Sequence, residues 1–299
     1  MKVVLFCGGL GTRLQEYSET IPKPMVEIGY RPIIWHLMRY YAHFGHMDFI
    51  LCLGYRGDYI KRYFLNYDEC LSNDFVLAQG GREVYLYNSD ISHWTITFVD
   101  TGLHTNIGQR LRAVEKYLEG EEVFMANYSD GLTDLNLDHY TDFFCRQDKV
   151  ASFLSVRPSQ SFHHVEYRDD GLVSRIEAID RGNFWINGGF FILRKDIFDY
   201  IQDDEELVVE PFHRLIAEKQ LVTYRNPGFW ACMDTFKEKK LFDDMYARGE
   251  MPWAVWESFE GAPGKRRRTQ AYRTNGEAVL LDRSNLVPHY HHSEKAKVE

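Results

Sequence analysis

Short apolar runs alternate with amphipathic stretches along the first half of this chain, and that alternation limits its fold more than any other feature. Val3–Cys7 reads as a buried strand, followed after Pro32 by a helical period over Ile33–Phe44. Phe49–Leu53 predicts a second strand and Asp58–Leu65 a second helix. Ile96–Val99, Ile107–Leu118 and Val123–Asn127 continue as strand, helix and strand. Such β-α-β-α order predicts a doubly wound, mostly parallel sheet with helices on both faces. Sheets of that kind bind ligands outside the carboxyl ends of their strands.

After about residue 150 the rhythm shifts to strands separated by short turns. Phe153–Val156, Val165–Tyr167, Phe190–Leu193 and Val222–Tyr224 are the candidates, with a turn at Arg168–Gly171. The expected class is therefore α/β: a Rossmann-like mixed sheet with small β additions in its second half. One domain over 1–256 fits best, with 1–150 as a nucleotide-binding half and 151–256 as an acceptor half. Residues 257–299 form a C-terminal extension that carries a basic run at Lys265–Arg268 and histidines at His289, His291 and His292. The basic run reads as a solvated flexible segment, and the histidines as a disordered stretch or a packing extension rather than a metal cluster.

A formal net charge of -9 over 299 residues argues against nucleic acid and anionic membranes as partners. A polyanionic substrate must then be met by a local cluster of Arg, Lys and metal. The five cysteines (Cys7, Cys52, Cys70, Cys145 and Cys232) show no C-x-x-C pair, so neither a disulfide framework nor a zinc site is expected. The run after Met1 is too short for a signal peptide, and no stretch approaches the roughly 18 apolar residues that span a bilayer. The expectation is a reduced, cytoplasmic protein. With 15% aromatics, the chain is also expected to associate with copies of itself.

Three motifs carry chemistry. Directly after the first strand stands Cys7-Gly8-Gly9-Leu10-Gly11-Thr12-Arg13-Leu14, whose glycines let backbone N–H groups approach a phosphate chain. It lacks the Gly-Lys-Ser/Thr of a Walker A loop and the third glycine of a dinucleotide fingerprint, which counts against an NAD-dependent oxidoreductase. Instead Arg13 places a fixed cation in the loop, suited to departing pyrophosphate. Eight residues on, Pro22-Lys23-Pro24 holds a lysine between two rigid positions. At the end of Val123–Asn127, Asp130 in Tyr128-Ser129-Asp130-Gly131 could hold Mg²⁺, with Asp234 as a second carboxylate. Taken alone, the three also suit a tight turn, a rigid loop and a second turn.

The first two motifs in order, Gly8–Leu14 and then Pro22-Lys23-Pro24 continued by Met25-Val26-Glu27-Ile28-Gly29, resemble the signature of sugar-phosphate nucleotidylyltransferases. Val99-Asp100-Thr101-Gly102, Ile186-Asn187-Gly188-Gly189-Phe190-Phe191, Gly228-Phe229-Trp230 with Met233-Asp234-Thr235, and Pro252-Trp253 are similar to the glucose-1-phosphate cytidylyltransferases. The resemblance implies in-line attack of an acceptor phosphate on the α-phosphorus of a nucleoside triphosphate, releasing pyrophosphate. It implies catalytic roles for Arg13, Lys23 and Asp130, and Mg²⁺ held by Asp130 and Asp234. It implies a nucleotide site of Gly8, Gly9, Leu10, Gly11, Thr12, Arg13, Lys23, Thr105 and Arg110. Glu177, Asn187 and Gly188 face the acceptor, with Arg181 as a further candidate.

The pattern breaks at Ala178, where the family carries a lysine that grips the sugar phosphate. Arg181, His163 or His164 are the replacements in reach, although the two histidines also read as ordinary strand residues. Ile107-Gly108-Gln109-Arg110 and Tyr30 depart from the family pattern as well. Two alternatives stay open: a cytidylyltransferase for a different sugar or non-sugar phosphate, and a catalytically weak nucleotide-binding regulatory relative.

Overall fold

A computed structural model describes residues 1–9, 21–158, 162–179, 182, 184–257 and 287–289. In chain order the strands are β1 (Val3–Phe6), β2 (Glu27–Ile28), β3 (Arg31–Pro32), β4 (Asp48–Leu53), β5 (Phe75–Ala78), β6 (Glu83–Leu86) and β7 (Thr95–Asp100). They continue as β8 (Val123–Tyr128), β9 (Gly131–Thr133), β10 (Ala151–Val156), β11 (His163–Tyr167), β12 (Val173–Ala178), β13 (Ile186–Asn187) and β14 (Phe191–Arg194). The last three are β15 (Leu221–Asn226), β16 (Trp230–Cys232) and β17 (Val287–His289). The described helices are α1 (Ile33–His43), α2 (Gly57–Leu65), α3 (Ile107–Val114), α4 (Leu137–Gln147), α5 (Ile197–Tyr200), α6 (Glu210–Ala217) and α7 (Phe236–Arg248).

The main sheet is mixed and mostly parallel, as expected. Strand β1 lies between β4 and β8, parallel to both, and β4 pairs with β7 in the same sense. Strand β14 runs antiparallel between β8 and β10, and β15 closes the far edge parallel to β10. Alternate residues of a strand face opposite sides. Val3 and Leu5 accordingly enter one apolar core while Val4 and Phe6 enter another, and Phe49 and Leu51 of β4 part from Ile50 and Cys52 in the same way. Both faces of the sheet are therefore buried, which is why these strands read as unbroken apolar runs rather than alternating ones.

Helices α1, α4 and α7 cover the first face through residues such as Leu37, Tyr140 and Phe242. Helices α3 and α6 cover the second through Leu111, Val114, Phe212 and Leu215. Each buried Leu, Val or Phe contributes about 1.5–3 kcal/mol relative to exposure. The Arg168–Gly171 turn joins β11 and β12 into an antiparallel hairpin outside the main sheet. The tail returns at β17, which pairs with β6 and adds a third strand to the β5–β6 hairpin. All five cysteines are free thiols. Among the described residues no helix is long and apolar enough to cross a membrane.

One buried side chain on α1 makes stability depend on pH. His36 is 4% exposed; its Nε2 meets the Ile28 carbonyl at 3.1 Å, and its Nδ1 accepts from the Trp253 indole at 3.4 Å. Burial lowers its pKa from 6.5 to about 4. The unfolded chain therefore takes up a proton below about pH 6.5 that the folded one refuses until about pH 4. Stability unaffected by His36 above pH 6.5 is expected to fall by about 3 kcal/mol on acidification to pH 4. Urea unfolding across this range should lose that slope in His36→Gln; an identical slope in both proteins excludes His36 as its source.

Candidate active site

The carboxyl ends of β1, β4, β7 and β8 converge on one side of the sheet, and the segments leaving β1, β7 and β8 wall a cavity of about 530 Å³. That volume falls within the usual range for a small-molecule site. Its lining includes Gly8, Gly9, Lys23, Thr105, Arg110, Asp130 and Asp234, so most described donor-side residues singled out in the sequence meet in one place.

The glycine loop leaves β1 with Cys7 N–H bonded to the Cys52 carbonyl at 2.9 Å. Gly8 is held from below by Arg110, whose Nη2 donates to its carbonyl at 3.0 Å. The same guanidinium donates to Leu53 O at 3.2 Å, Thr101 Oγ1 at 2.7 Å and Leu103 O at 3.4 Å, and the residue is 3% exposed. Burial lowers the Arg110 pKa, opposed by the attraction of Cys52, Cys7, Asp100 and Glu206. Arg110 thus ties three strand-end segments together beneath the cavity floor. A Cβ on Gly8 would stand 2.0 Å from Arg110 Nη1, and one on Gly54 would stand 2.6 Å from the Gly8 carbonyl oxygen. Those two positions need glycine for close approach. Gly9 lines the cavity, and no atom of the described residues comes within 4 Å of a Cβ placed on it.

Lys23 opens a 3₁₀ turn, Lys23–Met25, between Pro22 and Pro24. Asp130 follows β8, and β9 begins at the next residue. A three-residue ladder then does the work of assembly: β9 pairs antiparallel with β16, placing Cys232 opposite Gly131. The ladder is extended by Met233 N–H donating to Asp130 O at 2.8 Å. Asp234 follows immediately, fixed by its N–H to Glu238 Oε2 at 2.7 Å, just ahead of the Thr235–Glu238 capping box that starts α7. The two carboxylates meet on one ammonium. Lys23 Nζ donates to Asp130 Oδ2 and to Asp234 Oδ1, the latter at 2.5 Å. Burial alone would lower the Lys23 pKa, yet the attraction of Asp130 and Asp234 outweighs it and raises the value.

Among the described residues, His, Cys, Asp and Glu side chains nowhere gather in threes suited to caging a metal ion. A pair of carboxylates facing an open cavity is instead the donor set Mg²⁺ uses, since it keeps waters and takes substrate phosphate oxygens for its other positions. Asp130 and Asp234 fit that ion. Cys7 also lines the cavity, but burial pushes its thiol up to about 12, so it supplies no thiolate at neutral pH.

On the acceptor side, Trp230 connects the two halves. Its Nε1 donates to Gly188 O at 2.9 Å, and the same atom lies 3.7 Å from the Cβ position of Gly131. Asn187 turns its Oδ1 onto the Gly189 N–H at 2.9 Å. Glu177 sits on the hairpin, held by Arg175 Nη2 at 2.7 Å. Opposite it across the ladder is His164, and opposite Ala178 is His163. His163 is exposed and His164 half-buried, with its ring 4.7 Å from that of Phe184. Leu10, Gly11, Thr12, Arg13 and Arg181 lie outside the described residues, as do Lys265–Arg268, His291 and His292.

The cavity also uses residues that the sequence reading passed over. His104, Asn106, Tyr128 and Glu206 line it, and burial raises the Glu206 pKa. Asn106 carried a legible signal, because Asn before an amphipathic helix is an N-cap; its Oδ1 accepts from Gln109 N at 2.9 Å. Glu206 sits in the loop before α6 and has no local signature.

Comparison with known proteins supplies the family. The family model described as "Nucleotidyl transferase" matches residues 2–235. The glucose-1-phosphate cytidylyltransferase of Salmonella typhimurium is 38% identical over 259 residues, covering 86% of this chain and all of that protein. A mannose-1-phosphate guanyltransferase of Debaryomyces hansenii is 27% identical over 239 residues, covering 77% of this chain and 60% of its own. Among solved structures, HddC from Yersinia pseudotuberculosis superposes with a TM-score of 0.59 at 21% identity, covering 82% of this chain and 99% of that one. UDP-glucose pyrophosphorylase complexed with UDP-glucose gives 0.61 at 16% identity, covering 83% and 98%. Both structures share the fold. By the extent of the family match and the identity to curated relatives, the chain belongs to the nucleotidyl transferase family.

Proposed function

We propose that the protein transfers CMP from CTP to a sugar phosphate, with glucose 1-phosphate as the leading acceptor, and releases pyrophosphate. The observation that carries this reading is the convergence of Lys23, Asp130 and Asp234 at the strand ends beside the Gly8–Gly9 backbone. No nucleophilic side chain is required, because the acceptor phosphate itself attacks the α-phosphorus; the enzyme aligns the reactants and neutralises charge. Gly8 and Gly9 offer backbone close to the nucleotide, and Arg110 holds that backbone still. Lys23 carries the positive charge toward the phosphates, and Arg13 is assigned the departing pyrophosphate. Asp130 and Asp234 would hold Mg²⁺, which when bound supplies charge neutralisation at the phosphate oxygens. Glu177, Asn187 and Gly188 are assigned to the acceptor.

A different phosphorylated acceptor is favoured by one specific observation: position 178 is alanine, with His163 across the ladder and Glu177 already held by Arg175. Pyrophosphate release, measured with each NTP crossed with a panel of sugar and non-sugar phosphates in Mg²⁺, separates the readings. Fastest turnover is expected with CTP and glucose 1-phosphate. Preference for UTP or dTTP removes the cytidylyl assignment, and a faster phosphate other than glucose 1-phosphate replaces the acceptor. Silence across the panel leaves a nucleotide-binding relative without catalysis.

A further inference from the structure

The proposed site asks its charged groups for two different services, phosphate contact from Lys23 and metal contact from Asp130 and Asp234. In the structure these groups contact one another. Lys23 Nζ is hydrogen-bonded to Oδ2 of one carboxylate and Oδ1 of the other, and its side chain is only 16% exposed. The partners are brought to it from both ends of the fold, 107 and 211 residues away in sequence. Its own backbone has little freedom: Pro22 and Pro24 flank it, Met25 N–H bonds Pro22 O at 2.8 Å, and Val26 N–H bonds Lys23 O at 3.1 Å. The other described cation lining the cavity, Arg110, has its guanidinium engaged by Gly8, Leu53, Thr101 and Leu103.

Two carboxylates converging without a cation repel each other, and each favours whatever positive charge reaches both. We infer that Lys23 is a built-in counter-cation that occupies the place of the divalent metal between Asp130 and Asp234 and must leave it before the metal enters. The inference rests on the reading of the two carboxylates as metal ligands. A tethered ammonium competes at high effective concentration with any ion from solution, so the empty enzyme holds Mg²⁺ weakly. A polyphosphate that draws the ammonium away removes this competitor from both carboxylates, and by reciprocity the metal then strengthens nucleotide binding by the same factor. Metal and nucleotide thus load together, and a residue needed for turnover works against metal binding in the resting protein.

The test is direct binding of Mn²⁺ alone, with no nucleotide, followed by the loss of the free-ion EPR signal. Full-length wild type, Lys23→Met, Lys23→Gln and Lys23→Arg are compared after circular dichroism and melting confirm the fold. Lys23→Met and Lys23→Gln are expected to bind Mn²⁺ about tenfold more tightly than wild type, the change that accompanies loss of an interaction worth one pKa unit. Lys23→Arg keeps a cation and should stay near wild type. Adding Asp234→Asn to Lys23→Met should abolish the gain. If Lys23→Met binds Mn²⁺ no more tightly than wild type while Asp234→Asn still weakens it, the carboxylates are ligands and the counter-cation role is overturned. If Asp234→Asn and Asp130→Asn change Mn²⁺ binding in neither background, the metal-ligand reading fails and this inference with it.

Discussion

Asp130→Asn and Asp234→Asn are each expected to lower kcat by about a thousandfold or more, a loss on the scale of about 4 kcal/mol of transition-state stabilisation. Asparagine matches the carboxylate in volume but carries no charge, so it attracts Mg²⁺ far less, and the phosphates lose the countercharge that ion would supply. The fold should persist. The Met233–Asp130 bond and the β9–β16 ladder are backbone contacts, and Asp234 is anchored to Glu238 through its N–H. Pyrophosphate release under saturating CTP, Mg²⁺ and acceptor gives the measurement, with circular dichroism as the control for folding. Turnover at the wild-type rate in either variant removes that residue from the metal site.

The second large effect is expected at Arg110, and it is one of stability first. Its guanidinium donates to Gly8, Leu53, Thr101 and Leu103 with almost no access to water. Hydrogen bonds to a charged group contribute about 1.5–3 kcal/mol each, and stranding buried acceptors adds a desolvation cost. Because the four share one donor group their losses do not add, and Arg110→Met is expected to cost about 3–5 kcal/mol. That is a large part of the 5–15 kcal/mol that typically holds a domain together. Urea unfolding reads the loss, and KM for CTP should rise in the same variant as the Gly8 carbonyl loses its anchor. Arg110→Lys should recover little, since a single ammonium cannot reproduce the fork. A variant as stable as wild type would show the four contacts to be dispensable.

How much of this could be read from sequence depends on how local each determinant is. Strands β1, β4 and β8 were legible because burial on both faces writes itself as a short apolar run, and the half-buried edge strand β7 because Ile96, Phe98 and Val99 still stand out. Gly8 and Asp130 lie just past such strands, while Lys23 was found through the prolines on either side of it. Asp234 was nameable, yet its meeting with Asp130 was not, because it depends on a ladder joining Gly131–Thr133 to Trp230–Cys232 across about a hundred residues. Neither three-residue strand has a period of its own to detect. Arg110 shows a different limit. Resemblance sets it beside the nucleotide, and it does line the cavity, but nothing in that resemblance announces its hold on the Gly8 carbonyl. The helical period held the clue, since Arg110 falls three residues after Ile107 and four before Val114, on the apolar side of α3. The acceptor side was least legible: Glu177 and Ala178 lie on a hairpin outside the main sheet, where register rather than composition decides what faces what.

The short ladder between β9 and β16 also bears on how this protein comes into being. Lys23 and Asp130 emerge early from a ribosome, and the parallel strands β1, β4, β7 and β8 can begin to pack before the rest is made. Asp234 is synthesised more than a hundred residues after Asp130, and β16, which delivers it, needs β9 already in place. A nascent chain therefore holds the glycine loop and a single carboxylate. On the proposed reading, the charged centre is complete only when nearly the whole matched region has been translated and folded.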